Sequence, residues 1–187
     1  MIVYLHGLNS SSRSAKATLL RERLAPVPVE APSYPAHRPA RAVAELSRFF
    51  GALVGGPPVV VGSSMGGFYG QYLARRFHVR HLYLINPALR PWDLLGDSLG
   101  EAMTTANGER YRVTESLLAE TRGFAVEDPC DGVPTTVFLD EGDEVIDYRI
   151  AELIYGSCAR VVVFPGGDHA FRHMERVIEA LRAEVAP

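Results

Sequence analysis

Short apolar runs alternate with segments of helical spacing along the whole chain. The apolar runs are rich in β-branched and aromatic residues, which is typical of buried strands. They occupy residues 2–5, 27–32, 57–61, 81–86, 134–140 and 160–164. Apolar positions at helical spacing lie in residues 15–24, 39–54, 147–155 and 171–185, and in a stretch that follows Gly67. This alternation predicts an α/β fold with a mostly parallel sheet, right-handed crossovers and helices on both faces.

One segment, residues 87–128, interrupts the alternation. Two parts of it are expected to be helical, residues 91–95 and 114–121, and a polar link of residues 104–110 lies between them. At 187 residues the chain is long enough for one domain with a substantial core and short for two. We therefore predict a single domain over residues 1–187, with residues 87–128 as a small lid insertion.

The central apolar run leads directly into a Gly-x-Ser-x-Gly pentapeptide at residues 62–66. A strand, a tight turn and a helix around such a sequence resemble the nucleophile elbow of α/β hydrolases. A nucleophile in a strained turn needs nearly side-chain-free residues two positions before it and two after it. Ser64 has glycine at both positions, whereas its neighbour Ser63 would need glycine where Val61 stands. Ser64 is therefore the candidate nucleophile.

The first strand ends in a loop of small and polar residues that begins His6-Gly7-Leu8. In α/β hydrolases the corresponding loop supplies one donor of the oxyanion hole. Gly7 lets the backbone approach a substrate, and the backbone amide of Leu8 is expected to face the forming oxyanion, while His6 is interpreted as structural. The alternative is a plain strand-to-helix loop in which a serine at 11, 12 or 14 is the helix N-cap. The pentapeptide downstream favours the oxyanion role.

The candidate base is His169, which lies in a glycine-rich loop after the last strand. A serine hydroxyl is a weak nucleophile near neutral pH, so it needs a base to take its proton and a third group to orient that base. The carboxyl end of a strand is where open α/β sheets bind their ligands. The remaining histidines lie in turns, at the opposite ends of strands or on the last helix: His37, His78, His81 and His173.

Three aspartates after the next-to-last strand compete for the role of the acid. Asp143 follows that strand by a short turn, with Gly142 beside it to allow a close approach, and we favour it. Asp140 is an alternative at the strand end, and Asp147 is a further one that is better interpreted as the N-cap of the next helix. Neither alternative is expected to touch the imidazole of His169. The chain order Ser, Asp, His is that of α/β hydrolases.

Five segments spread over the whole chain together resemble the YqiA-like bacterial esterases, a family of small α/β hydrolases. They are Tyr-Leu-His-Gly-Leu-Asn-Ser-Ser at 4–11, Gly-Ser-Ser-Met-Gly-Gly-Phe-Tyr at 62–69, Asn-Pro-Ala-Leu-Arg-Pro at 86–91, Gly-Asp-Glu-Val-Ile-Asp-Tyr at 142–148 and Gly-Gly-Asp-His-Ala-Phe at 166–171. The resemblance implies a reduced α/β-hydrolase fold that lacks the first strands of larger relatives. It also implies ester or thioester hydrolysis, with Ser64 as nucleophile, Asp143 as acid and His169 as base. The backbone amide of Met65 would be the second oxyanion donor.

Composition narrows the classes of partner. A net charge of −3 provides no basic field for nucleic acid or an anionic membrane surface, and no apolar run approaches membrane-spanning length. No secretory signal pattern opens the sequence. Cys130 and Cys158 lack metal-ligand spacing, so we expect free thiols rather than a disulfide. No His/Asp cluster has metal-ligand spacing either. We predict a cytoplasmic enzyme that needs no metal and no organic cofactor.

The predicted function is hydrolysis of small-molecule carboxylesters with short-to-medium acyl chains by a Ser-Asp-His acyl-enzyme mechanism. Gly7, Trp92 and Leu94 are expected to contact the substrate, because the first lies in the candidate oxyanion loop and the others lie in the predicted lid. A catalytically silent hydrolase fold that serves as a binding module is an alternative of another class.

Acyl-CoA thioesterase activity is a further alternative. Its phosphates would require a basic entrance, to which Arg13, Lys16 and Arg90 are the expected contributors.

Overall fold

The computed structural model describes residues 1–129 and 132–186. Its elements, in chain order, are β1 (Ile2–Leu5), α1 (Ala15–Leu24), β2 (Val29–Glu30), α2 (Pro39–Gly51), β3 (Val59–Ser63), α3 (Met65–Ala74), β4 (His81–Ile85), α4 (Pro91–Gly96), β5 (Ala102–Thr104), β6 (Arg110–Arg112), α5 (Glu115–Arg122), β7 (Thr135–Asp140), α6 (Tyr148–Tyr155), β8 (Arg160–Phe164) and α7 (Met174–Val185).

Six of these strands form one parallel sheet in the order β2-β1-β3-β4-β7-β8. β3 lies inside the sheet between β1 and β4, with Val60 opposite Val3 on one side and Leu82 on the other. The carboxyl ends of parallel strands meet at one edge, so the loops after β1, β3, β7 and β8 all reach the same edge. The predicted parallel sheet is confirmed, and this edge is where a site is expected.

Helices cover both faces of the sheet because side chains alternate along each strand. Val3 and Leu5 of β1 pack in a core with α2, α3 and α6. Ile2 and Tyr4 of the same strand pack in a second core with α1 and α7. Strands buried on both faces read as continuous apolar runs, which is why the sequence pattern identifies them.

Residues 87–128 contain more regular structure than the sequence indicates. The residues predicted as a polar link belong to an antiparallel hairpin instead, in which β5 pairs with β6 and Met103 lies opposite Tyr111. Only these two central residues are half-buried, and the flanking residues of both strands are exposed. Strands this short and this exposed carry too little apolar signal to be recognised. Met103 and Tyr111 pack against a small cluster formed by Leu95, Val113, Leu117 and Leu118.

Three smaller expectations differ from the structure. Helix α2 ends at Gly51 rather than Val54, and α7 begins at Met174 rather than Phe171. The expectation of a free thiol is wrong for Cys158, which is disulfide-bonded, while Cys130 lies outside the described residues. Residue spacing can exclude a metal-ligand pattern, but it does not report the oxidation state of a cysteine. Within the described residues, every helix is too short or too polar to cross a membrane.

Candidate active site

Ser64 lies at the tip of a sharp turn between β3 and α3. Its backbone has φ 54° and ψ −124°, a conformation that non-glycine residues rarely adopt and that costs on the order of 1–3 kcal/mol. The turn is held by the surrounding backbone, since the amides of Gly67 and Ala88 both donate to the carbonyl of Ser64. The hydroxyl is thereby presented at the carboxyl edge of the sheet.

The glycines on either side of Ser64 are required by space. A Cβ at Gly62 would lie 2.5 Å from the carbonyl oxygen of Gly66, and a Cβ at Gly66 would overlap the backbone of Leu5. Strand, turn and helix therefore pack closer together than any side chain permits. The steric argument from the pentapeptide thus agrees with the structure at both positions.

The structure brings the predicted nucleophile, base and acid into one hydrogen-bonded chain. His169 Nε2 lies 3.1 Å from Ser64 Oγ, and His169 Nδ1 lies 2.9 Å from Asp143 Oδ2. The Asp143 side chain is 1 % exposed, and its Oδ1 also accepts from the backbone amides of Val145 and Ile146. A carboxylate held in this way fixes the imidazole so that Nδ1 donates and Nε2 faces the hydroxyl.

Two residues that line the space beside Ser64 have unpaired backbone amides. Within the described residues, the amides of Leu8 and Met65 donate to no acceptor, and both residues line the cavity beside Ser64. Gly7 lies against Ser64, because a Cβ there would be 3.3 Å from Ser64 Cβ. Unpaired amides beside a nucleophile are what an oxyanion hole requires.

His6 belongs to the scaffold of this loop. Its ring stacks on Tyr34 at 4.2 Å, and its Nδ1 donates to the carbonyl of Gly7. Burial lowers the pKa of His6, which favours the neutral ring. Ser14 is the N-cap of α1, and its hydroxyl accepts from the amide of Ala17. The capping role that the alternative interpretation gave to a serine of this loop is therefore present together with the features of a candidate oxyanion loop.

A cavity of about 770 Å³ opens at Ser64 and His169. Most of its wall is apolar, with contributions from Leu8, Met65, Leu94, Leu95, Met103, Val145, Ile146 and Ala170. Leu94 thus lies where the sequence places it. Trp92 does not: it is not a lining residue and packs edge-to-face on Phe68, because α4 directs this position toward the core. Of the three expected entrance cations, Lys16 lines the cavity, whereas Arg13 and Arg90 are exposed outside it.

Asp140 and Asp147, the competing acids, have other roles. Asp147 is the N-cap of α6 and accepts from the amide of Arg149, as the sequence predicts. Asp140 is fully buried and does not contact His169. Its carboxylate accepts from the backbone amide of Arg172 at 2.7 Å and from His173 Nδ1 at 2.6 Å, with a longer contact of 3.3 Å from the amide of Asp168. Asp140 therefore holds the loop that carries His169.

Asn86 and His173 join this support and were missed by the sequence analysis. The side chain of Asn86 accepts from the amide of Asp140 and donates to the carbonyl of Asp168, so it ties β4, β7 and the His169 loop together. The loop approaches so closely that a Cβ at Gly167, where φ is +78°, would overlap the Asp140 carboxylate. A polar residue at the end of the apolar run 81–86 is the signal in the sequence that could have identified Asn86.

Replacing Asp140 with asparagine is expected to lower both stability and activity. The buried Asp140 carboxylate accepts three hydrogen bonds, and an amide nitrogen in place of one oxygen leaves buried donors unpaired, which costs about 1–3 kcal/mol of unfolding free energy. A displaced His169 loop is expected to lower kcat by about 10- to 100-fold, because small misplacements of a catalytic group are costly. Urea unfolding and steady-state kinetics measure the two effects. Asp147→Asn is the control, because asparagine also caps helices; equal behaviour of the two variants would contradict this role for Asp140.

Comparison with known proteins identifies relatives over the whole chain. The model of the uncharacterised protein family UPF0227 matches residues 1–184. This match confirms the resemblance to the YqiA-like family that the five sequence segments indicate.

Solved structures share the fold at low sequence identity. Est1E from Butyrivibrio proteoclasticus is 17% identical, with a TM-score of 0.76 over 100% of this chain and 88% of its own. The alpha/beta hydrolase domain-containing protein 10 from mouse is 16% identical, with a TM-score of 0.75 over 97% of this chain and 88% of its own. An esterase from Exiguobacterium antarcticum is 17% identical, with a TM-score of 0.69 over 100% of this chain and 91% of its own. These similarities confirm the α/β-hydrolase fold.

Proposed function

The chain belongs to the uncharacterised protein family UPF0227, and we propose that it is a serine hydrolase that cleaves short-to-medium acyl carboxylesters. The observation that carries the proposal is the hydrogen-bonded chain from Ser64 through His169 to Asp143, at the carboxyl edge of the sheet and beside two unpaired amides. Two of the solved structures that share this fold are named as a hydrolase and an esterase, which agrees with the proposed reaction class.

In the proposed acylation step, Ser64 Oγ attacks the ester carbonyl carbon while His169 Nε2 takes the hydroxyl proton. The carbonyl oxygen becomes an oxyanion that accepts from the amides of Leu8 and Met65. One such donor contributes roughly 10²- to 10³-fold to kcat in related chemistry. Asp143 stabilises the imidazolium that forms, and His169 then protonates the leaving alcohol.

Deacylation repeats these roles with water. His169 takes a proton from a water molecule, which attacks the acyl-enzyme, and the second oxyanion occupies the same amides. Ser64 leaves with its proton restored and the acid departs. The proposed cycle uses protein groups alone, with no metal and no organic cofactor.

The cavity supports the proposed acyl-chain range. Its volume of about 770 Å³ lies within the usual range for small-molecule sites, and its wall is mainly apolar. Part of this wall comes from residues 87–128, through Leu94, Leu95 and Met103. We therefore infer that this segment is a lid that limits the length of the acyl group.

The cytoplasmic location remains a prediction. Free thiols are typical of the cytoplasm, and the disulfide-bonded Cys158 does not support that location.

The wild-type protein is expected to hydrolyse p-nitrophenyl esters of short and medium acyl chains with higher kcat/KM than long-chain esters or acyl-CoA. The short apolar wall accommodates such chains. Arg13 and Arg90 are exposed outside the cavity, so Lys16 is the one lysine or arginine among its described lining residues, which is little positive charge for the several phosphates of CoA. Release of p-nitrophenol and of free CoA measures the two activities. A preference for long acyl-CoA by about tenfold or more, equivalent to about 1.4 kcal/mol in the transition state, would favour the thioesterase instead.

A further inference from the structure

Lys16 is the only lysine of the chain, and the other 18 of its 19 lysine and arginine residues are arginines. It stands in the first turn of α1, partly buried, and lines the same cavity as Ser64 and His169. Among the described residues that line this cavity, Lys16 is the one lysine or arginine. The mechanism proposed above does not use it.

The ammonium of Lys16 makes no hydrogen bond and no ion pair with any residue that the structure describes. Burial lowers the pKa of Lys16, while the negative charges of Asp168, Asp143 and Asp140 raise it. These three carboxylates are already committed to other partners, namely Arg172, His169 and His173 respectively. A partly desolvated cation without its own counter-ion is stabilised when an anion binds beside it.

The remaining charge on the wall is Glu144, which opposes an anion. Its carboxylate is exposed and accepts from the backbone amide of His169, so water and that amide weaken its field inside the cavity. The lining of the same cavity also includes the hydroxyl-bearing residues Ser10, Ser14 and Tyr4. These hydroxyls can donate to an anion that pairs with the ammonium.

We propose that Lys16 selects ester substrates that carry an anionic group, such as a carboxylate, in addition to the scissile ester. This inference rests on the proposed function and names the class of ester within it. A compact ammonium on a flexible stem suits a partly enclosed wall and binds an anion as a point charge, unlike the broad guanidinium fork of the arginines elsewhere in this chain. A neutral ester of equal length leaves the ammonium unpaired and gains nothing from it.

The test compares matched esters on wild type and Lys16→Met. In the first arm the carboxylate lies in the acyl half: p-nitrophenyl hydrogen adipate is compared with p-nitrophenyl hexanoate. In the second it lies in the alcohol half: 4-acetoxybenzoate is compared with methyl 4-acetoxybenzoate. Lys16→Met is expected to lower the ratio of kcat/KM for anionic over neutral ester by roughly ten- to 100-fold in one arm, as loss of a charged hydrogen bond does. The arm that responds identifies the half of the substrate that Lys16 contacts.

Arg13→Met is the matched control, because it removes an exposed cation three residues away that does not line the cavity. Its ratio is expected to stay at the wild-type value in both arms. A ratio that Lys16→Met leaves unchanged in both arms, in a protein that hydrolyses the neutral esters through Ser64, overturns the role of Lys16 alone. Absence of any Ser64-dependent hydrolysis overturns the proposed function itself, so the two failures are distinguishable.

Discussion

Replacing Ser64 with alanine is expected to lower kcat by about 10⁴-fold or more while the protein stays folded. The expectation follows from the turn, which presents this hydroxyl alone to the base at 3.1 Å and to the two unpaired amides. Alanine keeps the Cβ that packs at Gly7 and removes only the oxygen, so the structure has no reason to rearrange. Steady-state kinetics with a short-chain p-nitrophenyl ester and labelling by a fluorophosphonate probe both measure the loss.

Ser63→Ala is the matched control for this prediction. Ser63 is the last residue of β3 and is 4 % exposed, and the hydroxyl that His169 Nε2 contacts is that of Ser64. The control is expected to keep its activity within about tenfold of wild type and to retain fluorophosphonate labelling, since no catalytic group is removed. Full activity in pure Ser64→Ala, or equal losses in both variants, would contradict the assignment. A wild-type protein that resists the probe and cleaves no ester would favour the silent binding module.

Asp143→Asn is expected to lower kcat by about 10⁴-fold, as the same change does in related triads. Asparagine keeps the shape of the side chain and can still accept from the amides of Val145 and Ile146. Its NH₂ group, however, would face His169 Nδ1 and favour the ring tautomer that places a hydrogen on Nε2. That hydrogen would point at Ser64, so the imidazole could no longer take the hydroxyl proton. Measurements of kcat and KM separate this effect from substrate binding, because KM is expected to change little.

Asp147→Asn is the control for Asp143→Asn as well. Asp147 is exposed and caps α6 without contact to the imidazole, so its variant is expected to stay within about tenfold of wild type. The Asp140 variant is informative in a different way, because Asp140 supports the His169 loop and its loss also lowers stability. A near-normal kcat of Asp143→Asn, together with a large loss of kcat in an Asp140→Asn protein that stays folded, would assign the role of the acid to Asp140 at the end of β7.

Local rules explain why the core of the site could be predicted from the sequence. The elbow requires glycine two residues before and after its nucleophile, and only Ser64 meets that requirement. Strands buried on both faces are continuous apolar runs, so β3, β7 and β8 are visible in the sequence, and the loops that follow them are the places to search for chemistry. His169 and Asp143 were predicted in this way, with Asp140 and Asp147 as the alternatives.

Other features depend on contacts between segments far apart in the chain. Trp92 was expected to contact the substrate, but its side chain packs on Phe68 and is directed toward the core. The hairpin of β5 and β6 is too short and too exposed for its pattern to be recognised. The disulfide-bonded state of Cys158 likewise depends on which segment the fold brings beside it.

What the sequence by itself determined is the order of the elements that build the parallel sheet, the candidate nucleophile with its glycines, and the short list of candidate acids and bases. These depend on residue type and spacing along a few neighbouring positions, which local sterics and hydrophobic periodicity control. The tertiary structure alone decided which aspartate meets the imidazole and which one holds its loop. Asp140 is the last residue of β7 and Asp143 lies three residues further on. The loop after β8 reaches both, and only its path over Gly167 and Asn86 gives each carboxylate its partner.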